Sequence, residues 1–181
     1  KPRPQKGKNA PGYDVIAEAK RFYGVELSEI DGVSSGLLSV LMSEVGTAEQ
    51  LKAAFCTSER FCSWIGVCPD NRISGGKVLK AKTRSIKSRL AGALRLSAFG
   101  LGKAKSKLGE YCRRMKGRLG KAEGITATAH KIARIIYAMI TNQQSYDQEI
   151  AFKITPRNRE RQLLRIQKQA AQFGFKIVAL T

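Results

Sequence analysis

Acidic residues are almost missing from the middle of this sequence. Residues 72–121 hold 16 lysines and arginines against a single acid, Glu110. A solvated helix face normally mixes signs, so this imbalance points to a polyanionic partner. Histidine is nearly absent too. His130 is the only one, and with no acid or cysteine close to it in sequence it reads as a structural residue. The four cysteines, Cys56, Cys62, Cys68 and Cys112, form no Cys-x-x-Cys pair. A zinc site is therefore not expected, no metal ligand set is assigned, and reduced thiols are the simpler reading. No apolar run approaches the roughly 18 residues that a spanning helix needs, and residues 1–12 lead into no apolar core segment, so neither a membrane span nor a signal peptide is expected. The GxxxxGK[ST] spacing of a Walker A loop is missing, as is any internal repeat.

What is present is charge and enough apolar content for a core. The net charge is +19 over 181 residues, and 43% of the residues are hydrophobic. That length predicts one domain, with or without extensions, and that charge makes nucleic acid the default partner. Residues 1–12 are basic and rich in Pro and Gly, as a flexible arm or linker would be. Residues 13–70 reverse the sign, with four cations against nine acids. Apolar periodicity predicts a helix over 14–22, then Leu27 to Val33 with a tight turn at Gly32, and a second helix through Leu37, Leu38, Leu41 and Val45. This resembles a helix-hairpin-helix, although packing is the favoured role. Thr47 and Thr57 are expected to cap further helices, the second carrying Phe61, Trp64 and Ile65 as core residues and ending at Gly66. A helical stripe of Ile86, Leu90, Leu94, Ser97, Ala98 and Leu101 follows, with Arg84, Lys87, Arg89 and Arg95 mostly off it. Ser106 caps a helix with Arg113 and Arg114 outward. Residues 126–141 form the most apolar helix, expected at the centre of the core. Thr155-Pro156 opens a last helix, ended by Gly174, and residues 175–180 read as a strand or a docking tail. The predicted fold class is all-α: a compact helical domain over 13–153, with a basic C-terminal helix and tail over 154–181.

Between the acidic and basic parts lies Ile73-Ser74-Gly75-Gly76-Lys77. Glycines let a phosphate approach backbone N–H groups closely, Lys77 supplies charge, and Ser74 offers a hydroxyl. A plain surface turn accounts for the same spacing.

The run Phe61-Cys62-Ser63-Trp64-Ile65-Gly66-Val67-Cys68-Pro69 leading into Ile73-Ser74-Gly75-Gly76-Lys77 resembles the C-terminal transposase domain of the DEDD-type insertion-sequence transposases, the bridge-RNA-guided recombinases. Further blocks agree in order: Gly24-Val25-Glu26-Leu27, Ile30-Asp31-Gly32-Val33, Glu44-Val45-Gly46, Ala93-Leu94-Arg95-Leu96, Ala127-Thr128-Ala129-His130-Lys131, Ile135-Ile136-Tyr137 and Tyr146. The resemblance extends over about residues 9–180. It departs at Asp31, where many members have proline, which weakens a phosphate contact by the hairpin.

The resemblance implies that Ser74 is a nucleophile attacking a DNA phosphate. Gly75, Gly76, Lys77 and Arg84 would support that phosphate, and Lys80, Lys82, Lys87, Arg89, Arg95, Arg113 and Arg114 would hold nucleic acid. Family members carry their four metal-binding acids in a RuvC-like domain, and no such tetrad is legible here. This chain alone is therefore expected to bind no cofactor and to be inactive without that domain, where magnesium would sit. The implied partners are DNA, a guide (bridge) RNA, the RuvC-like domain and further copies of the chain, with no membrane, in the bacterial cytoplasm at the nucleoid. Two other readings stay open: a non-enzymatic helical DNA- or RNA-binding module, and a basic assembly subunit that uses the helix over residues 157–172 for protein contacts.

Overall fold

In the computed structural model, residues 11–84, 86–152 and 156–176 are described. The predicted all-α class holds. The helices are α1 (Val15–Tyr23), α2 (Ser35–Val45), α3 (Ala48–Ala54), α4 (Ser58–Ile65), α5 (Arg89–Gly100), α6 (Lys107–Leu119), α7 (Lys121–Asn142), α8 (Gln148–Ala151) and α9 (Pro156–Gln172). The sheet among the described residues is one hairpin between α4 and α5, made of β1 (Pro69–Ser74) and β2 (Lys77–Thr83). The chain divides into two compact units, Lys1–Tyr146 and Asp147–Thr181.

Helix starts follow side-chain caps. Asp14, Ser34, Thr47, Thr57, Ser88 and Ser106 each accept a backbone N–H of the helix that follows, and Thr47 with Gln50 completes a capping box. These bonds satisfy donors that the first helical turn leaves unpaired. The cap at Ser88 corrects one expectation. Its Oγ accepts from the Ala91 N–H at 3.1 Å, so α5 begins at Arg89, and Arg84, Ile86 and Lys87 precede the helix. Apolar periodicity placed Ile86 on the buried stripe, but it lies outside the helix and is exposed, with its side chain next to Gly66.

Helix α7 is central to the first unit and packs against α3, α4, α5 and α6. Ala129, Ile132, Ala133, Ile136 and Ile140 are buried along it, as its apolar stripe requires. It is longer than predicted, starting at Lys121 directly after Gly120. The turn at Gly32 packs against Leu101 and the Ser97 carbonyl. It joins a single-turn 3-10 helix at Leu27–Glu29 to α2. Phe55, Phe61, Trp64 and Tyr137 form an aromatic cluster, and the Tyr137 hydroxyl donates to the Phe55 carbonyl at 2.7 Å. Phe61 is buried as expected, but Trp64, expected in the core, is exposed while its ring packs on Phe55 and Phe61.

In the second unit, Asp147 caps α8, and Leu163, Leu164 and Ile166 of α9 are exposed. Thr155 and residues 177–181 lie outside the described residues, as does most of the arm over residues 1–12.

The close approach of α6 and α7 depends on Gly124. A Cβ there would stand 2.6 Å from the backbone N and Cα of Lys116, inside any tolerated contact. Gly124→Ala is therefore expected to destabilise the fold by about 1–3 kcal/mol through overpacking, read as a lowered urea midpoint. Gly117, also helical, has open space where its Cβ would go. Gly117→Ala should be neutral or stabilise by up to about 1 kcal/mol, so the pair separates packing from helix propensity.

Candidate active site

Ser74 closes β1 and pairs across the hairpin with Lys77, so Gly75 and Gly76 are the two central residues of the turn. Both have positive φ, 54° and 74°. A two-residue turn with positive φ at both positions matches the right-handed twist of the strands, and it strongly favours glycine. A Cβ on either glycine would touch nothing within 4 Å. Their requirement is therefore conformational, and the space around them is open. Ser74, Gly75 and Gly76 are all exposed. The loop expected from the sequence is thus the tip of a β-hairpin, which presents the Ser74 backbone and both glycines to solvent.

The strands also sort the basic residues by distance from the tip. Lys77 faces Ser74 in register, Lys80 is level with Arg72, and Lys82 is level with Asp70. Arg84, which is exposed, follows the Pro69↔Thr83 pair at the far end. At about 3.3 Å per residue, six residues of strand put that end roughly 20 Å from Ser74. The structure therefore gathers Ser74, Gly75, Gly76 and Lys77 at the tip and separates Arg84 from them.

The base of the hairpin is held by a cluster the sequence did not reveal. Cys68, one residue before β1, brings its Sγ to 3.6 Å from His130 Nε2 on α7 and 3.8 Å from the Glu59 carbonyl on α4. Glu59 also pairs with Arg134 of α7 at 3.4 Å. His130 therefore has a cysteine partner, 62 positions away in sequence, which reading along the chain could not supply. Burial lowers the His130 pKa and raises those of Cys68 and Cys62, the last to about 12. The pair is accordingly a neutral imidazole beside a neutral thiol. It anchors the hairpin, and at roughly 20 Å it is out of reach of the Ser74 hydroxyl. Among the described residues no group of three or more His, Cys, Asp and Glu side chains has metal-site geometry.

This arrangement has a pH signature. The folded His130 pKa lies below the ordinary value near 6.5, mainly through burial, with Arg134 and Lys131 acting in the same direction and Glu59 against them. As pH falls through about 6.5, the unfolded chain takes up a proton that the folded chain refuses. Stability is therefore full above that pH and declines as pH drops toward the folded value, by at most about 1.4 kcal/mol per pH unit for one proton. Urea midpoints at pH 7.5 and 5.5 should differ more for the wild-type chain than for His130→Gln.

The remaining basic residues lie around α5 and α6 with distinct partners. Arg89 Nε donates to Glu44 Oε1 at 2.6 Å, tying α5 to α2. Arg95 is half-buried and reaches the Gly66 carbonyl at the end of α4, at 3.4 Å. Arg113 donates to the carbonyls of Gly102 and Ala104 at 3.3 and 2.7 Å. The Arg114 guanidinium stands 5.5 Å from the Tyr111 ring centroid. Lys87 is exposed in the segment before α5. Arg89, Arg95 and Arg113 thus also serve the fold. Periodicity marked them as outward, without showing the carboxylate and carbonyl oxygens they meet.

Among the described residues no helix is long and apolar enough to cross a membrane. No curated protein matches the chain. Residues 25–111 match the model of the Transposase IS116/IS110/IS902 family, so the segment carrying the Ser74 hairpin, α5 and the start of α6 is similar to insertion-sequence transposases, and the match supports a role in DNA transposition.

Proposed function

We propose that this chain is the serine-bearing half of a DNA transposase, with Ser74 as its nucleophile. The observation that carries the proposal is the placement of an exposed serine at the tip of a Gly-Gly hairpin, ahead of a strongly basic segment, inside the stretch that matches the transposase family. The Ser74 Oγ attacks the scissile phosphorus. An Oγ–P bond forms, the P–O3′ bond breaks, the serine hydroxyl loses its proton and the departing oxygen gains one as a 3′-hydroxyl. The bare backbone at Gly75 and Gly76 lets the phosphate come close, and Lys77 offsets the charge that builds on the phosphorane.

A serine hydroxyl needs activation before it attacks. The cysteine–histidine pair is too far along the strand to provide it, so the activating group comes from outside this hairpin. A RuvC-like domain carrying acids and magnesium fits that need, meeting the serine tip in an assembly that contains more than one copy of the chain. Magnesium there would polarise the phosphate and lower the pKa of a bound oxygen nucleophile. Arg84, Lys80, Lys82, Lys87, Arg89, Arg95, Arg113 and Arg114 then hold flanking nucleic-acid backbone. A guide RNA that reads sequence by base pairing suits a protein rich in phosphate contacts. A bacterial cytoplasmic, nucleoid-associated setting follows from those partners.

One observation favours a second reading, a non-enzymatic basic module: the hairpin turn by itself accounts for both glycines. The two separate on a covalent bond. Labelled DNA incubated with the chain, the acidic domain, guide RNA and magnesium should yield a protein–DNA species that survives boiling in detergent. Reversible binding with no such species would support the module.

A further inference from the structure

We infer that Phe99 and Leu96, on the outer side of α5, form a stacking platform for an unpaired base of strand-separated DNA. This inference rests on the nucleic-acid role proposed above. The two side chains lie three residues apart on one helix face and are 56% and 72% exposed. Helix α5 buries Leu90, Leu94 and Ala98 on its other side, so neither Leu96 nor Phe99 is needed to attach it to the core. Gly92 and Gly100 flank the pair, and a Cβ at either would meet nothing within 4 Å. The ridge is therefore bordered by bare backbone that a flat partner can approach.

Charge selects the occupant. Lys116 of α6 holds its ammonium 5.7 Å from the Phe99 ring centroid, and Glu110 is the single acid in residues 72–121. A second copy docking through this same face would set the basic stretch of residues 72–121 against itself, so copies in an assembly meet through other faces. Single-stranded DNA combines what this surface lacks with what it offers: a backbone of negative charge and flat apolar bases free to stack. Duplex DNA supplies the charge but keeps its bases stacked on one another. Sequence reading marked the cations of this stretch and passed over both apolar residues. The apolar stripe through Leu90, Leu94, Ser97 and Ala98 leaves Leu96 and Phe99 off the buried face, and the structure shows both exposed.

The test compares equilibrium affinities of the 181-residue chain and Phe99→Ala for a labelled single strand and a duplex of equal length, at one salt concentration. Phe99→Ala is expected to weaken single-strand binding about tenfold, the scale of one lost base–aromatic stack, and to change duplex binding less than twofold. Phe99→Trp should keep single-strand affinity, and 2-aminopurine in the strand should be quenched by the wild-type chain but not by Phe99→Ala. Equal losses for both DNA forms, or none, would overturn the platform while leaving nucleic-acid binding intact. A single RNA strand that depends on Phe99 where DNA does not would overturn the choice of DNA. Concentration-dependent self-association that disappears in Phe99→Ala would make the face a protein interface instead. If the wild-type chain binds neither DNA form, the underlying nucleic-acid reading fails first.

Discussion

Ser74→Ala is expected to abolish the covalent protein–DNA adduct and recombination together, in an assembly that contains the acidic domain and guide RNA. Fold and DNA affinity should change little. The side chain lies exposed at a hairpin tip, and removing one exposed hydroxyl usually shifts stability within about 0.5 kcal/mol. The turn is set by Gly75 and Gly76, whose positive φ angles do not depend on the serine. Ser74→Cys should retain a trace of adduct, since a thiolate attacks but positions and departs differently. Lys77→Ala should lower the rate without eliminating the adduct, as expected for a charge that stabilises the transition state. Adduct yield, single-turnover rate and anisotropy, measured on the same three variants, separate these outcomes. Loss of binding along with activity in Ser74→Ala would favour a phosphate clamp over a nucleophile.

The second large effect concerns salt. If roughly six to ten cations of residues 72–121 contact duplex phosphates, log K should fall with log salt at a slope near −5 to −9. Between 50 and 200 mM salt that amounts to about 10³- to 10⁵-fold in affinity. Charge reversal at Arg84, Lys87 and Arg114 should weaken binding to all sequences alike and flatten the slope, because phosphate contacts carry no base identity. All three are exposed. Arg95 is a poorer choice, because its bond to the Gly66 carbonyl at the end of α4 would confound binding with folding. A titration series over salt, run on two unrelated duplexes, checks both points, and an affinity independent of salt would remove the basic stretch from the binding surface.

Local chemistry made much of the fold legible. Thr47, Thr57 and Ser106 were marked as caps from their place before apolar runs, and each accepts a helix N–H. The centrality of α7 followed from its apolar stripe. The start of α5 was misplaced because Ile86 sits at helical spacing from Leu90, while the Ser88 cap that sets the start competes with that pattern at only one residue. The hairpin was read as a loop. Its first strand, Pro69-Asp70-Asn71-Arg72-Ile73-Ser74, has turn-forming residues where an alternating apolar pattern would be needed for recognition. Cys68 and His130 were individually visible, but their meeting depends on α7 packing beside α4, a long-range contact that no local spacing encodes. At the site, the resemblance singled out Ser74, Gly75, Gly76 and Lys77 together. The strand register then separated Arg84 from them, which only the hairpin's length reveals.

The most direct measurement is to find the residue that carries the DNA. The adduct formed in the complete assembly is trimmed with nuclease, digested with protease and sequenced by mass spectrometry. The account predicts a nucleotide remnant joined through phosphate to Ser74 Oγ, in the peptide that spans Ile73-Ser74-Gly75-Gly76-Lys77. A remnant on any other residue, or a detergent-stable complex with no covalent remnant on this chain, would contradict it.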